Sequence, residues 1–278
     1  MFIDSDTRID FDVDELLSCF ERYDAVEIGK EVNASSLIEK LARIDYLNML
    51  ITSKLSSKLN SCLGLNGAAF AIKGDVIKKI GFRAKINEDT DLGLRLAIKG
   101  YKVGVFGKAI TKSPSTFKSW LIQRERWAIG GAEVFLEYYK EILKKPRLWI
   151  PALLILYPAF LGFLVNLIIQ DDVFFKILYF LLPFIVFIPS KLISLVLVVV
   201  YGIHFSKNVL VLFSTFMVWM MVILILAEKF KYKIDLWVLP IYYFIYSPFW
   251  MMLCMVCLIR VLIARKTGRK IEVEGWVV

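Results

Sequence analysis

Asn87-Glu88-Asp89-Thr90-Asp91-Leu92-Gly93-Leu94-Arg95-Leu96-Ala97-Ile98-Lys99-Gly100-Tyr101-Lys102-Val103-Gly104-Val105-Phe106 is the stretch that decides the fold. Leu92, Leu94, Leu96 and Ile98 supply apolar bulk between an acidic start and a basic end, which predicts a helix over 88–99. Gly100 is a natural stop, because glycine takes the left-handed conformation just past a helix end at no steric cost. Residues 101–106 then read as a strand. A helix feeding a strand across a short glycine turn points to an α/β domain.

Upstream, residues 65–72 read as a turn followed by a strand of small residues, and Lys73-Gly74-Asp75 opens a short helix that ends at Gly81. Helical apolar spacing covers 14–20 and 35–59, with Ser35 or Ser36 as N-cap. The short apolar run Met1-Phe2-Ile3 is stopped by Asp4-Ser5-Asp6-Thr7 and reads as the end of a buried strand with acids at its tip. Downstream, residues 116–139 form an amphipathic helical stretch rich in Trp, Phe and Arg, a composition that suits a bilayer interface.

Beyond residue 147 the character of the chain changes. Hydrophobic residues make up 58% of its 278 residues, against about 45–50% in soluble domains, and the excess is concentrated here. Crossing a hydrocarbon core takes about 20 apolar residues. The segments 148–169, 173–203, 209–227 and 236–263 approach or exceed that length, although Pro183, Pro189 and Lys191 interrupt the second, which is one broken span or two short pieces. The expectation is about four membrane helices, with the first domain and the basic tail of Arg265, Lys266, Arg269 and Lys270 on the cytoplasmic side. Lys229, Lys231 and Lys233 conflict with it, since four spans place them outside; if 173–203 crosses twice they turn inward but the basic tail lies outside, and an interfacial segment would also resolve the conflict.

The net charge of +9 does not indicate a nucleic-acid partner. Basic residues of the first half are interleaved with acids, and later ones flank apolar segments, so no phosphate-binding stripe forms. Cys254 and Cys257 read as two small apolar side chains of a membrane helix, and Cys19 and Cys62 as reduced thiols. His204, the single histidine, has no second His with which to hold a metal. No secretory signal pattern opens the sequence.

Three motifs carry chemistry. Asp4 and Asp6 would point the same way along an extended segment and could hold a hard divalent cation, or they belong to a solvated turn. Glu88 and Asp89 sit where a helix dipole favours acids, and Asp89 there could also serve as a general base. Gln123, Arg126 and Trp127 occupy one helix face, where Trp offers a flat platform to a sugar ring, Gln binds hydroxyls and Arg pairs with a diphosphate; the same residues would also anchor an interfacial helix.

Taken in order, Phe2-Ile3-Asp4-Ser5-Asp6-Thr7, Asn66-Gly67-Ala68, Asn87 to Leu96, Gly100-Tyr101-Lys102-Val103 and Gln123-Arg124-Glu125-Arg126-Trp127 resemble the membrane-integrated family 2 glycosyltransferases, a group that includes cellulose, chitin, hyaluronan and poly-N-acetylglucosamine synthases. The resemblance implies an α/β fold of partial GT-A type over 1–115, an interfacial region over 116–147, an all-α transmembrane domain over 148–264 and a basic tail over 265–278. It implies an inverting transfer from a nucleotide-sugar donor, a UDP-sugar above all, to a glycan or lipid-linked acceptor at the cell membrane. Asp4 and Asp6 would contact the diphosphate and its Mg²⁺ or Mn²⁺. Asp89, with Glu88 beside it, would be the base. Gln123, Arg126 and Trp127, with Asn66 and Gly67, would hold acceptor and diphosphate. Family members usually carry an upstream region with a further Asp, and here Asp4 stands almost at residue 1. A fragment, an internal start or a second chain that supplies the missing half are the expectations this raises. Asn87 stands where processive members often have Thr, so processivity does not follow.

Overall fold

The computed structural model describes residues 1–9, 11–149, 190–273 and 276–277. The expected membrane segment 148–169 and the first part of 173–203 lie almost wholly outside the described residues.

Five strands form one sheet in the order β1 (Phe2–Ile3), β4 (Ala69–Ile72), β3 (Ala25–Val32), β5 (Val103–Thr111), β2 (Arg8–Ile9). Central β3 runs parallel to β5 and antiparallel to β4, and both edge strands pair antiparallel. Side chains of a strand alternate between faces, and β3 uses both. Ala25 joins Phe70 and the leucines of α4 (Glu88–Lys99) on one side, while Val26 and Ile28 join Leu16, Ala69, Ala71 and Ala109 on the other. Sequence patterning leaves β3 unassigned, because Glu27, Lys30 and Glu31 break its apolar run.

The helices start where side chains can satisfy their first N–H groups. Asp12 caps α1 (Val13–Cys19), a Ser36/Glu39 capping box opens α2 (Leu37–Lys58), and Thr116 caps α5 (Phe117–Lys144). The short α3 (Gly74–Ile80) follows β4. Helix α4 has the expected bounds and ends on Gly100 at φ 86°. It is buried all round from Asp91 to Ala97, between the sheet and α5. Asp91, fully buried, accepts hydrogen bonds from Arg95 Nε (2.7 Å) and the Tyr138 hydroxyl (3.1 Å), so this acid fastens α4 to α5.

Two expectations change. The strand β1 is an exposed edge, with Phe2 stacked on Phe70, and not the end of a buried strand. The amide of Thr7 donates to the Asp4 carbonyl (3.0 Å), so the 4–7 segment turns and period-two alternation does not apply to Asp4 and Asp6.

Helix α6 (Ser190–Lys229) runs unbroken through residues 203–209, where a boundary between two apolar segments was expected, and His204 lies inside it. Residues 157–224 form a compact unit of their own, in which Trp219 packs on Phe216 and the Thr215 hydroxyl donates to the Val211 carbonyl. Helix α7 (Val238–Thr267) contains a π-helical turn at Tyr242–Tyr246. It lies along α5: Cys257 and Val261 pack on Ala128, Ile129 and Ala132, Arg260 pairs with Glu125, and Arg265 donates to the Glu133 carbonyl. A two-stranded hairpin, β6 (Glu272–Val273) with β7 (Trp276–Val277), follows.

Among the described residues, Ser206–Lys229 and Val238–Thr267 are long and apolar enough to cross a membrane. The loop between them does not stand apart from the α/β part, as four spans would require. The Tyr232 hydroxyl donates to the Lys30 carbonyl (3.0 Å), and Lys108 donates to the Lys231 carbonyl (3.0 Å).

At Gly93 a Cβ would stand 2.5 Å from Leu65 N and 2.7 Å from Gly64 C. Both are backbone atoms, so the neighbouring loop must move to admit a methyl group. Gly93→Ala is expected to cost about 2 kcal/mol, read as a lowered unfolding midpoint; an unchanged midpoint contradicts this packing.

Candidate active site

The start of α4 meets the 64–68 loop at the foot of β4. Leu65 N donates to the Asp89 carbonyl (3.2 Å), and a Cβ at Gly67 would collide with the Asp89 carboxylate. Only a glycine lets the loop backbone come this close. Asp89 Oδ1 accepts from Thr90 N (2.6 Å) and Thr90 Oγ1 (3.3 Å). Burial raises the Asp89 pKa above its ordinary 3.8, against the lowering effects of Thr90, Lys30 and the Gly67 N–H. Asn66 spends its side chain on the loop itself: Nδ2 donates to the Ile28 carbonyl (3.0 Å) and Oδ1 accepts from Ala68 N (3.2 Å). It shapes the site more directly than it could bind a ligand.

Beneath the loop lie two charged residues of β3 that sequence reading missed. Glu27 is 4% exposed and accepts from Ser53 Oγ (2.9 Å). Burial pushes its carboxyl up to about 7, opposed by Ser53, Lys30 and the Asn66 N–H, with Asp89 adding to the rise. Lys30 holds its ammonium 4.9 Å from the Tyr46 ring centroid and 5.4 Å from that of Trp127. Burial lowers its pKa; Asp89, Asp4 and Glu27 raise it and Arg124 lowers it further.

Helix α5 brings the third motif. Asn87 Nδ2 donates to the Trp127 carbonyl (3.0 Å), which ties the start of α4 to this turn of α5. Trp127 is partly buried, and its ring faces both Lys30 and the Arg124 guanidinium, the latter at 4.5 Å. Arg126 is exposed, and its charge lowers the carboxyls of Asp4 and Glu88. The Gln123 Oε1 oxygen is buried and accepts no hydrogen bond among the described residues. Arg124, which the motif reading passed over, is fully buried and paired with Asp45 of α2 at 2.9 Å. The same Asp45 accepts the hydroxyls of Tyr242 (2.7 Å) and Tyr246 of α7.

Asp4 lies in the same electrostatic neighbourhood. Burial raises its carboxyl and Asp6 adds to this, while Lys30 and Arg126 lower it. Glu88 is exposed; burial, Asp89 and Asp4 raise its carboxyl. The structure therefore brings Asp4, Asp6, Glu88, Asp89 and Arg126 together with Lys30. Among the described residues no group of three or more His, Cys, Asp or Glu is arranged to hold a metal. Two open carboxylates do suit Mg²⁺ or Mn²⁺, hard cations that are often bound by one or two carboxylates with the remaining positions left to water and substrate phosphates. Surface hollows among the described residues lined by Phe11, Glu31 and Lys108 and by Cys19, Arg22 and Lys102 include no site residue.

Residues 1–263 match the model of the glycosyl transferase family group 2. The chain is 29% identical over 197 residues to the probable glycosyltransferase YdaM of Bacillus subtilis, covering 67% of this chain and 42% of that protein. It is 31% identical over 154 residues to glucomannan 4-beta-mannosyltransferase 1 of Oryza sativa, covering 53% of this chain and 28% of that protein. It is 30% identical to glucomannan 4-beta-mannosyltransferase 2 of Arabidopsis thaliana over 154 residues, with 53% and 28% covered. The chain thus spans less than half the length of these curated relatives.

Glu27 gives the site a pH signature. Its folded pKa of about 7 lies above the ordinary 4.5, so between these values the folded protein keeps a proton that the unfolded chain has released. Stability from this group is present at low pH and falls as pH rises through the window. Unfolding midpoints of wild type should drop more between pH 5 and pH 8 than those of Glu27→Gln; equal pH slopes would show that Glu27 ionises as it does in water.

Proposed function

The chain belongs to the glycosyl transferase family group 2, and we propose that it moves a sugar from a nucleotide-sugar donor to a glycan or lipid-linked acceptor at a membrane. The observation that carries this reading is the setting of Asp89. Its carboxylate is held at the first turn of α4 by Thr90 and Gly67, beside Lys30 and the Trp127 ring, with the Asp4 side of the cleft nearby. A raised pKa brings a carboxylate toward the range in which it takes a proton at neutral pH.

In this reading the acceptor hydroxyl gives its proton to Asp89 while its oxygen attacks the anomeric carbon. The new carbon–oxygen bond forms as the bond to the diphosphate breaks, and the nucleoside diphosphate leaves with the electron pair. Attack opposite the leaving group inverts the anomeric centre. Glu88 flanks the base, Trp127 carries the acceptor ring, and Arg126 and the Gln123 amide face diphosphate and sugar hydroxyls. Asp4 and Asp6 would hold Mg²⁺ or Mn²⁺, which when bound neutralises diphosphate charge. Asn66 and Gly67 shape the pocket against Asp89. The mannosyltransferase relatives favour a β-linked hexose polymer as acceptor class, and a UDP-sugar is the first donor to test.

The exposed apolar residues of α6 and α7, among them Met221, Ile225, Met252, Met255 and Ile259, support a membrane location. The basic residues from Arg265 to Lys270 favour a cytoplasmic face for the tail and, with it, for the α/β part. The open β1 edge, with Phe2 and Ile3 exposed, favours a second reading: a non-catalytic half-site whose nucleotide pocket is completed by another polypeptide segment.

Asp89→Asn is expected to lower transfer about a hundredfold or more in membranes supplied with a panel of nucleotide-linked hexoses, with the fold retained. Normal turnover in that variant removes Asp89 as the base.

A further inference from the structure

Lys30 is a charged group near Asp89 that no ion pair or hydrogen bond commits among the described residues. Its root is fixed. It lies in central β3, in register with Ala109 of β5, and its carbonyl accepts the Tyr232 hydroxyl. Its head is not: among the described residues no carboxylate pairs with the ammonium and no acceptor takes a hydrogen bond from it. The ammonium instead stands over the Tyr46 and Trp127 rings. Lysines that serve the fold of this chain look different, as with Lys108, which is bound to Glu31 and to the Lys231 carbonyl. Burying a lysine stem in a central strand without pairing its head leaves three N–H donors free for a ligand.

The neighbours indicate which ligand. Asp89 acts on Lys30 more strongly than Asp4 does, and Trp127 supplies the adjoining flat apolar surface. Free N–H donors at the border of an indole match a sugar, whose rim of hydroxyls can accept from them.

Resting on the transferase reading of this site, we propose that Lys30 is an acceptor-binding residue, whose ammonium donates hydrogen bonds to hydroxyls of a bound sugar next to Trp127. This makes Lys30 a determinant of acceptor recognition, distinct from Arg126 beside Asp4 and Glu88.

The test compares wild type, Lys30→Met and Lys30→Arg as full chains in detergent. Calorimetry follows binding of a linear β-linked mannan oligosaccharide and, separately, of UDP with Mn²⁺; kinetics use the same oligosaccharide as acceptor. Lys30→Met should weaken oligosaccharide binding and raise its KM about tenfold. UDP affinity and kcat at saturating acceptor should stay within about twofold, and Lys30→Arg should recover most of the binding. Should Lys30→Met fail to fold, Lys30→Gln carries the same comparison. Wild-type oligosaccharide affinity in the Met or Gln variant overturns the proposal, as does a loss confined to UDP, which would place Lys30 on the diphosphate. Protein that binds the oligosaccharide through Lys30 but transfers nothing supports the residue's role and contradicts the transferase reading alone. Wild type that binds no oligosaccharide overturns the acceptor role itself.

Discussion

The ion pair between Arg124 and Asp45, shut away from solvent, is the contact on which the rest of the site depends. Taking both charges out of water is expensive, and the pair persists only because its surroundings compensate. Asp45 collects two tyrosine hydroxyls as well as the guanidinium, and Trp120 Nε1 donates to the Tyr246 hydroxyl (2.7 Å). The rings of Trp127, Trp250 and Trp120 lie 4.5, 5.1 and 5.8 Å from the Arg124 guanidinium. One charge pair thereby fastens α2, α5 and α7 together. Removing one partner from such a pair typically costs about 3–5 kcal/mol, because the other charge stays buried.

From that hub the positions of the chemical groups follow. Trp127 lies three residues beyond Arg124 on α5, and its carbonyl receives the Asn87 amide, so the first turn of α4 is placed from α5. Asp89 lies in that turn, and Gly67 lets the 64–68 loop press against it. The loop is held from below by Glu27 and by the Asn66 bond to β3. A site with several carboxylates near one another thus rests on buried polar groups as well as on apolar packing. Unpaired charge at such a centre is a frequent mark of a functional site.

The parts of this arrangement visible in the sequence are those governed by local rules. Helix α4 announces itself through its acids, leucines and Gly100, and Ser36 through its capping box. The family motifs name Asp89, Arg126 and Trp127, and the Asn87 bond to the Trp127 carbonyl ties the start of α4 to that turn of α5. What local rules miss is decided by tertiary context. The strand β3 is central, yet Glu27, Lys30 and Glu31 give it the pattern of a surface segment, because Glu27 and Lys30 lie under the 64–68 loop and Glu31 pairs with Lys108 of β5. Arg124 looks like one more interfacial arginine until Asp45, far away in sequence, closes on it. Apolar length is also ambiguous: α7 has the composition of a span and still packs along α5 over several turns. The alternation of Asp4 and Asp6 promised an extended pair, and a single Thr7 to Asp4 hydrogen bond makes it a turn.

A nucleoside diphosphate together with a divalent cation is the ligand proposed for the site around Asp4 and Asp6, next to Asp89. Calorimetric titration of the full chain with UDP, with and without Mn²⁺, tests it most directly, with Asp4→Ala and Asp6→Ala as controls. Binding is expected to require the cation and to be lost in both variants. Binding that is indifferent to Mn²⁺ and unchanged in Asp4→Ala and Asp6→Ala would contradict it.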